Sequence, residues 1–436
     1  MIEDAPLSRA VTELQTGTTT PQEYLSELRE RFDRIEPEIE SFVAEEDRWD
    51  RIDAERERIE ERDDRRPVRP PLYGVPVGVK DIFHADGMPT RAGSDVPPDA
   101  LTGPEASAVT ALREAGAIVF GKTVTAEFAY FEPGPTRNPH DRTRTPGGSS
   151  SGSAAAVAAG LIPLAIGTQT IGSVNRPAAF CGVVGVKPSF DRIPTGGVIP
   201  AAPSVDHVGF FTQDVSGAAI AAAVLYDEWR SGIEPPRDVP VVGAVTGPYL
   251  QQATDVGRRQ FERQLDRLEA AGFDVRRLDP FDDIEAINRR HEALVAAEMA
   301  LSHDEWYPEY GDRYAAATRE QIETGRSIDA GTLADARAGR GRLRSALEER
   351  MDDAGVDVLV SPAAPGPAPT GIDSTGDPIM NLPWTHAGMP SVTVPASRTD
   401  DGLPIGLQCV APYGHDEWLL EWCDPISRSQ PMDRTT

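Results

Sequence analysis

Residues 145–188 read TPGGSSSGSAAAVAAGLIPLAIGTQTIGSVNRPAAFCGVVGVKP. Small residues dominate the stretch. Gly and Ser let backbone approach a ligand closely and tolerate unusual dihedral angles. A serine-rich loop leads into the small-residue helix SAAAVAAG. The short apolar run LIPLAIG then reads as a strand, and after a second Gly-Ser turn VVGVK at 183–187 reads as another. A phosphate-binding loop would need a Gly-Lys-Ser/Thr end, which is missing. The Ser-x-x-Lys arrangement is missing too, and Ser173, in Ile-Gly-Ser-Val-Asn, is not a Gly-x-Ser-x-Gly elbow.

The same alternation of strand and helix extends outward. VPVGVKDIF after Gly74 reads as a buried strand, 106–115 as a helix and AIVFGK at 117–122 as a strand. Beyond the stretch come a helix at 214–226, a strand VPVVGAV at 239–245, and helices at 254–271, 283–303 and 331–353. VDVLVSP, SVTVPAS and LPIGLQCV supply three more strands. This pattern predicts a layered α/β fold around one large, mostly buried sheet, in a single domain without a linker. Sheet order is not legible. Residues 1–66 predict a helical segment packing on the core, with Thr20-Pro21-Gln22-Glu23 as a capping box. The main domain is expected over 67–423, and 424–436, beginning at Asp424-Pro425, as a frayed tail.

Seventy acidic residues against 43 basic ones give a net charge of −27. That field argues against nucleic acid and anionic membranes as partners. It fits a halophilic protein, because screening over roughly 3 Å at molar salt makes such self-repulsion tolerable. Cys181, Cys409 and Cys423 form no paired motif. The first residues, MIEDAPLSRAVTELQ, have no basic and no apolar region, so that no signal peptide is expected, and no long apolar run occurs. A reduced, cytoplasmic protein is expected.

Lysine is the anomaly: only Lys80, Lys122 and Lys187 occur among the 43 basic residues. Lys80 sits among apolar residues. Burial lowers a lysine's pKa, by up to about 3–5 units when complete, whereas arginine stays charged. A serine nucleophile needs a base. Lys80 is therefore a candidate neutral amine serving the serine loop.

These residues resemble the amidase signature family. GGSS at 147–150, the following helix and GTQTIGSVNRPAAFCGVVGVKPS at 167–189 carry the likeness. VPVGVKDIF, GKTVTAEFAY, NPHDRTRTPGG, GGVIPAAPSVDHVGFFTQDV, DPIMNLPWTHAGMPSVTVP and GLPIGLQCVAP extend it over roughly 70–225 and 355–412. The resemblance implies one amidase-type domain, a large mixed sheet covered by helices on both faces. It implies a Ser-Ser-Lys triad in which Ser173 is the nucleophile, Ser149 the bridging serine after a cis Gly148–Ser149 bond, and Lys80 the base. Backbone N–H groups of Thr170, Ile171, Gly172 and Ser173 would form the oxyanion hole. Gln169, Arg176 and His386 are candidate pocket residues. No metal and no cofactor is implied.

The chain departs from the family pattern in carrying Ile171 where a glycine is usual, Gln169 where aspartate is common, Asn175 and Arg176 before Pro177, and Ser151 for a glycine. His207 beside Asp206, His84 and His140 read as structural or loop residues, Cys181 as a small buried hydrophobe, and Lys122 and Lys187 as structural. The expected function is hydrolysis of a small-molecule carboxamide through an acyl-enzyme, with a homodimer as the candidate assembly. The alternative is the glutaminase (A) subunit of a tRNA-dependent amidotransferase, which acts with a partner. Gln169 and Ile171 count against that alternative. A non-catalytic binding protein conflicts with an intact triad.

Overall fold

A computed structural model describes residues 2–63 and 68–430. Ten strands form a single mixed sheet: β1 (Pro76–Lys80), β2 (Ile118–Thr123), β3 (Leu164–Gln169), β4 (Val184–Lys187), β5 (His207–Thr212), β6 (Val242–Val245), β7 (Val275–Leu278), β8 (Val358–Pro362), β9 (Ser391–Arg398) and β10 (Pro404–Val410). Their order is β2-β1-β3-β5-β4-β9-β10-β8-β6-β7. The two ends are parallel (β1 with β2 and β3, β6 with β7 and β8), while β5, β4, β9 and β10 pair antiparallel through the middle.

Alternate side chains of each strand enter opposite cores, as a period of two requires. Val119, Leu164, Ile166 and Phe210 face one core with the helices Leu7–Thr16, Ser107–Glu114, Val215–Leu225 and Asp255–Ala270. Ile118, Phe120, Ala165 and Phe211 face the other with Pro21–Ile39, Arg48–Asp63 and Ser151–Ala158. Helices thus cover both faces, as expected. The capping box at Thr20 is present: its Oγ1 accepts from the Glu23 N–H, and Glu23 accepts from the Thr20 N–H.

Small residues at the signature are there for contact. A Cβ on Gly152 would lie 2.1 Å from the Ser41 carbonyl oxygen and 2.4 Å from the Val124 nitrogen. The Ser151–Ala158 helix is therefore packed down to its backbone against the chain entering the site.

Three sequence expectations need correction. The strands β5 and β7 were not expected. The helix Asp416–Arg428 runs straight through Asp424-Pro425 instead of fraying there. Pro425 removes one helical hydrogen bond, but buried Trp422, Cys423 and Ile426 hold the last turns down. Of the expected tail, 431–436 lie outside the described residues, as do 64–67 of the N-terminal segment. The long helix Ala330–Ala354 packs Leu343, Leu347 and Met351 into a third core with Leu359 and Trp384.

Candidate active site

Lys80 ends β1, fully buried. Its Nζ lies 2.7 Å from Ser149 Oγ and 2.8 Å from Thr168 Oγ1. Parallel pairing of β1 with β3, Val79 opposite Ile166, brings Lys80 alongside Thr168. Burial drives the amine well below its ordinary pKa, against a weaker opposing pull from Asp206. Lys122 and Lys187 are buried as well. Lys122 pairs with Asp81 at 2.7 Å, and Lys187 donates to the carbonyls of Pro188 and Met389. Every lysine of the chain is thus inside.

Ser149 lies in the loop leading to the Ser151–Ala158 helix. The Gly148–Ser149 bond is cis, as the resemblance implied. The carbonyls on either side are held: Arg176 donates to Gly148 O at 2.7 Å, and the Ala126 N–H donates to Ser149 O at 3.0 Å. Ser150 and Ser153 are used structurally, donating to the carbonyls of Thr168 and Ile166.

Ser173 lies in the turn between β3 and the Asn175–Cys181 helix and is 7 % exposed. With Ile171, Gly172, Arg176 and Tyr130 it lines a small cavity. No hydrogen bond joins Ser173 Oγ to Ser149 Oγ among the described residues. The backbone N–H groups of Ile171, Gly172 and Ser173 likewise donate to no acceptor among the described residues. Gly172 needs to be glycine, since a Cβ there would lie 2.4 Å from Asn381 Oδ1 and 2.8 Å from Pro378 Cβ. Outside this cavity, a vestibule of about 510 Å³ shares Tyr130, Phe131, Ile171, Val295 and Pro378 with it and adds Arg289 and Glu292 at its polar side. A larger cavity of about 1020 Å³ lies apart from Ser173, against the Pro21–Ile39 helix.

The pocket candidates sort differently from expectation. Arg176 does line the Ser173 cavity, although its guanidinium is turned to Gly148, Thr375 and Gly376. Gln169 and His386 line neither the cavity nor the vestibule. Gln169 is fully committed: its Oε1 accepts from the N–H groups of Val174 and Asn175 at 2.8 and 2.9 Å, and its Nε2 donates to Thr385 Oγ1. It braces the turn from behind, because the side chain of the last β3 residue points under the following helix. His386 is buried beside His291.

The remaining candidates have structural partners. His207 Nδ1 meets Val205 O, His140 Nε2 meets Cys181 O, and His84 contacts Thr90. Burial pushes the Cys181 thiol far up. The sequence reading missed Thr168, Asp206, Thr385 and His291. Asp206 accepts from Thr170 Oγ1 at 2.6 Å and from the N–H groups of Ala201 and Ala202, which fixes the turn from another side. Only its place beside His207 in SVDHVG marked it.

A buried amine beside a hydroxyl, and a second serine next to N–H groups that meet no acceptor among the described residues, are the kinds of group that serine-based acyl transfer requires. The amidase family profile matches residues 23–420, and the chain belongs to that family of amide C–N hydrolases. It is 31% identical to the glutamyl-tRNA(Gln) amidotransferase A-subunit of Koribacter versatilis (strain Ellin345), covering 85% of this chain and 87% of the relative. To the protein of that name in Natronomonas pharaonis it is 34% identical, with 80% and 94% covered. Among solved structures, an amidase superposes with a TM-score of 0.87 at 32% identity, covering 98% and 100% of the two chains. The peptide amidase of Stenotrophomonas maltophilia shares the fold, with a TM-score of 0.81 at 24% identity over 98% and 97%.

Proposed function

We propose that the chain releases ammonia from a carboxamide through an acyl-enzyme on Ser173. The observation that carries this is the fully buried Lys80 amine, 2.7 Å from Ser149 Oγ and drawn toward its neutral form. A neutral amine has one lone pair and two N–H groups. It takes the Ser149 proton on the lone pair while donating to Thr168. Ser149 in turn takes the proton of Ser173, whose unengaged hydroxyl turns toward it as the substrate enters. Ser173 Oγ attacks the amide carbon, and the oxyanion meets the N–H groups of Ile171, Gly172 and Ser173, with Thr170 at the edge of the turn. The proton returns through Ser149 to the leaving nitrogen, and water cleaves the acyl-enzyme by the same relay.

For the substrate, the curated relatives favour glutamine over other small carboxamides, with the chain acting as the ammonia-releasing component of an amidotransferase. Arg289 and Glu292 in the vestibule offer both signs of charge to an amino acid's backbone groups. A second reading, a stand-alone hydrolase of small apolar amides, is favoured by Ile171, whose side chain adds to the apolar wall of Tyr130, Phe131 and Val295. We carry forward a cytoplasmic location and adaptation to salt as parts of the same proposal.

Ammonia release from glutamine and from aliphatic, aromatic and amino-acid amides, measured in molar salt, tests both readings. Preference for glutamine and co-purification of a second protein favour the first; turnover of apolar amides alone favours the second. Ammonia from none of them, or full activity in Ser173→Ala, overturns the proposal.

A further inference from the structure

The peptide joining Thr170 to Ile171 is trans, so its carbonyl and its N–H point in opposite directions. The carbonyl of Thr170 lies 3.0 Å from His291 Nε2, on the helix Ile284–Ser302. A carbonyl only accepts, so Nε2 carries the proton and Nδ1 is bare. That bare Nδ1 lies 3.2 Å from His386 Nδ1. The contact is a hydrogen bond only if His386 donates from Nδ1, which leaves its Nε2 bare. His386 Nε2 is buried and meets no hydrogen-bond partner among the described residues, in keeping with a bare nitrogen there. Burial holds both rings neutral, His291 at about 3 and His386 at about 2. The next carbonyl, of Ile171, accepts from Thr385 Oγ1 at 2.7 Å, one residue before His386. Two successive carbonyls are thus anchored behind the turn, and their N–H groups, of Ile171 and Gly172, face the other way.

We propose that His386 and His291 form a tautomer-fixed pair of positioning residues that aims the Ile171 N–H at the developing oxyanion. This rests on the reading of Ile171–Ser173 as the oxyanion hole. Neither ring touches substrate. His386 keeps the proton of His291 on Nε2, and His291 keeps the Thr170–Ile171 peptide turned. Two histidines that merely filled space would need no particular tautomer.

The tautomers are read directly by nitrogen NMR of the imidazole rings at neutral pH. The expected result is Nε2–H on His291 and Nδ1–H on His386; Nδ1–H on His291 overturns the proposal. The function is read by the rate at which a small alkyl fluorophosphonate labels Ser173, followed by intact mass, since its phosphoryl oxygen occupies the oxyanion position. Removing an oxyanion donor costs about 10²–10³ in rate, and misaiming one should cost less, about 10- to 100-fold in His291→Leu and in His386→Leu. His291→Gln restores a donor near Nε2 and His386→Asn one near Nδ1; each should recover to within about five-fold of wild type. Labelled Ser173 with leucine variants as fast as wild type overturns the pair alone. A wild-type protein that is not labelled at Ser173 overturns the proposed function, and with it the pair's assignment to an oxyanion hole. Should a leucine variant fail to fold, the tautomers decide.

Discussion

The Thr168 hydroxyl sits 2.8 Å from Lys80 Nζ, on the strand beside it, and so gives the amine a second partner besides Ser149. Thr168 fixes where the amine points. Replacing it with valine keeps the shape and removes the acceptor. The amine should wander from Ser149, lowering kcat about tenfold, in line with the cost of misplacing a catalytic group. The hydrogen bond favours the ammonium more than the amine, so its loss should also move the acid limb of the kcat/KM profile to lower pH. An unchanged rate and profile in Thr168→Val would remove Thr168 from the site.

Lys80→Met should lower the rate by about 10²–10⁴-fold, the usual contribution of a general base. Lys80→Arg should do nearly as much damage, since arginine cannot give up its charge. Stability should move the other way. The folded-state pKa of Lys80 is depressed below 10.5. Between those two values the unfolded chain binds a proton that the native protein does not, so stability rises with pH across that interval. Lys80→Met should flatten that rise and gain about 1 kcal/mol at neutral pH, read by urea unfolding at several pH values. A destabilised methionine variant with the same pH slope would count against a neutral amine.

Arg176 holds the carbonyl oxygens of Gly148 and Gly376 and the hydroxyl of Thr375 from a fully buried position. Lysine has the charge but not the fork. Arg176→Lys should lose at least one charged hydrogen bond, about 1.5–3 kcal/mol, and a similar part of the activity by freeing the peptide before Ser149. Denaturant titration and ammonia release on the same preparation check the two together. Wild-type values for both would show that Arg176 fills space only.

The net charge of −27 predicts a response to salt. Raising ionic strength from about 0.1 M to about 1 M shortens the screening length from about 10 Å to about 3 Å. Self-repulsion should fall, raising stability by about 1 kcal/mol or more, about 2 °C in a chain of this size. Thermal unfolding across a potassium chloride series measures it; a flat or falling series would argue against salt adaptation.

Lys80 stood out as a rare lysine in an apolar strand, and the serine-rich glycine loop as a local signal, whereas Ser149 and Ser173 were singled out within that loop and turn by the family resemblance. The sheet's order was not legible, since it joins strands far apart in the chain. The strand β7 carries Arg276 and Arg277 and lacks an apolar run; only pairing with β6 makes it a strand. Thr385 and His291 reach the turn across 214 and 121 residues, so nothing near them in sequence announces their role, while Thr168 lies inside the signature stretch but meets Lys80 only across 88 residues. Gln169 shows the opposite error. Its place beside the Ser173 turn suggested the pocket, but adjacency cannot tell the front of a turn from its back, and the side chain went behind.

With all three ε-amines inside the fold, the native surface offers amine-directed reagents no lysine to attack. Acylating dyes and crosslinkers should therefore modify these side chains only when part of the sheet opens. The rate at which each of the three becomes labelled would report, strand by strand, how often β1, β2 and β4 come apart.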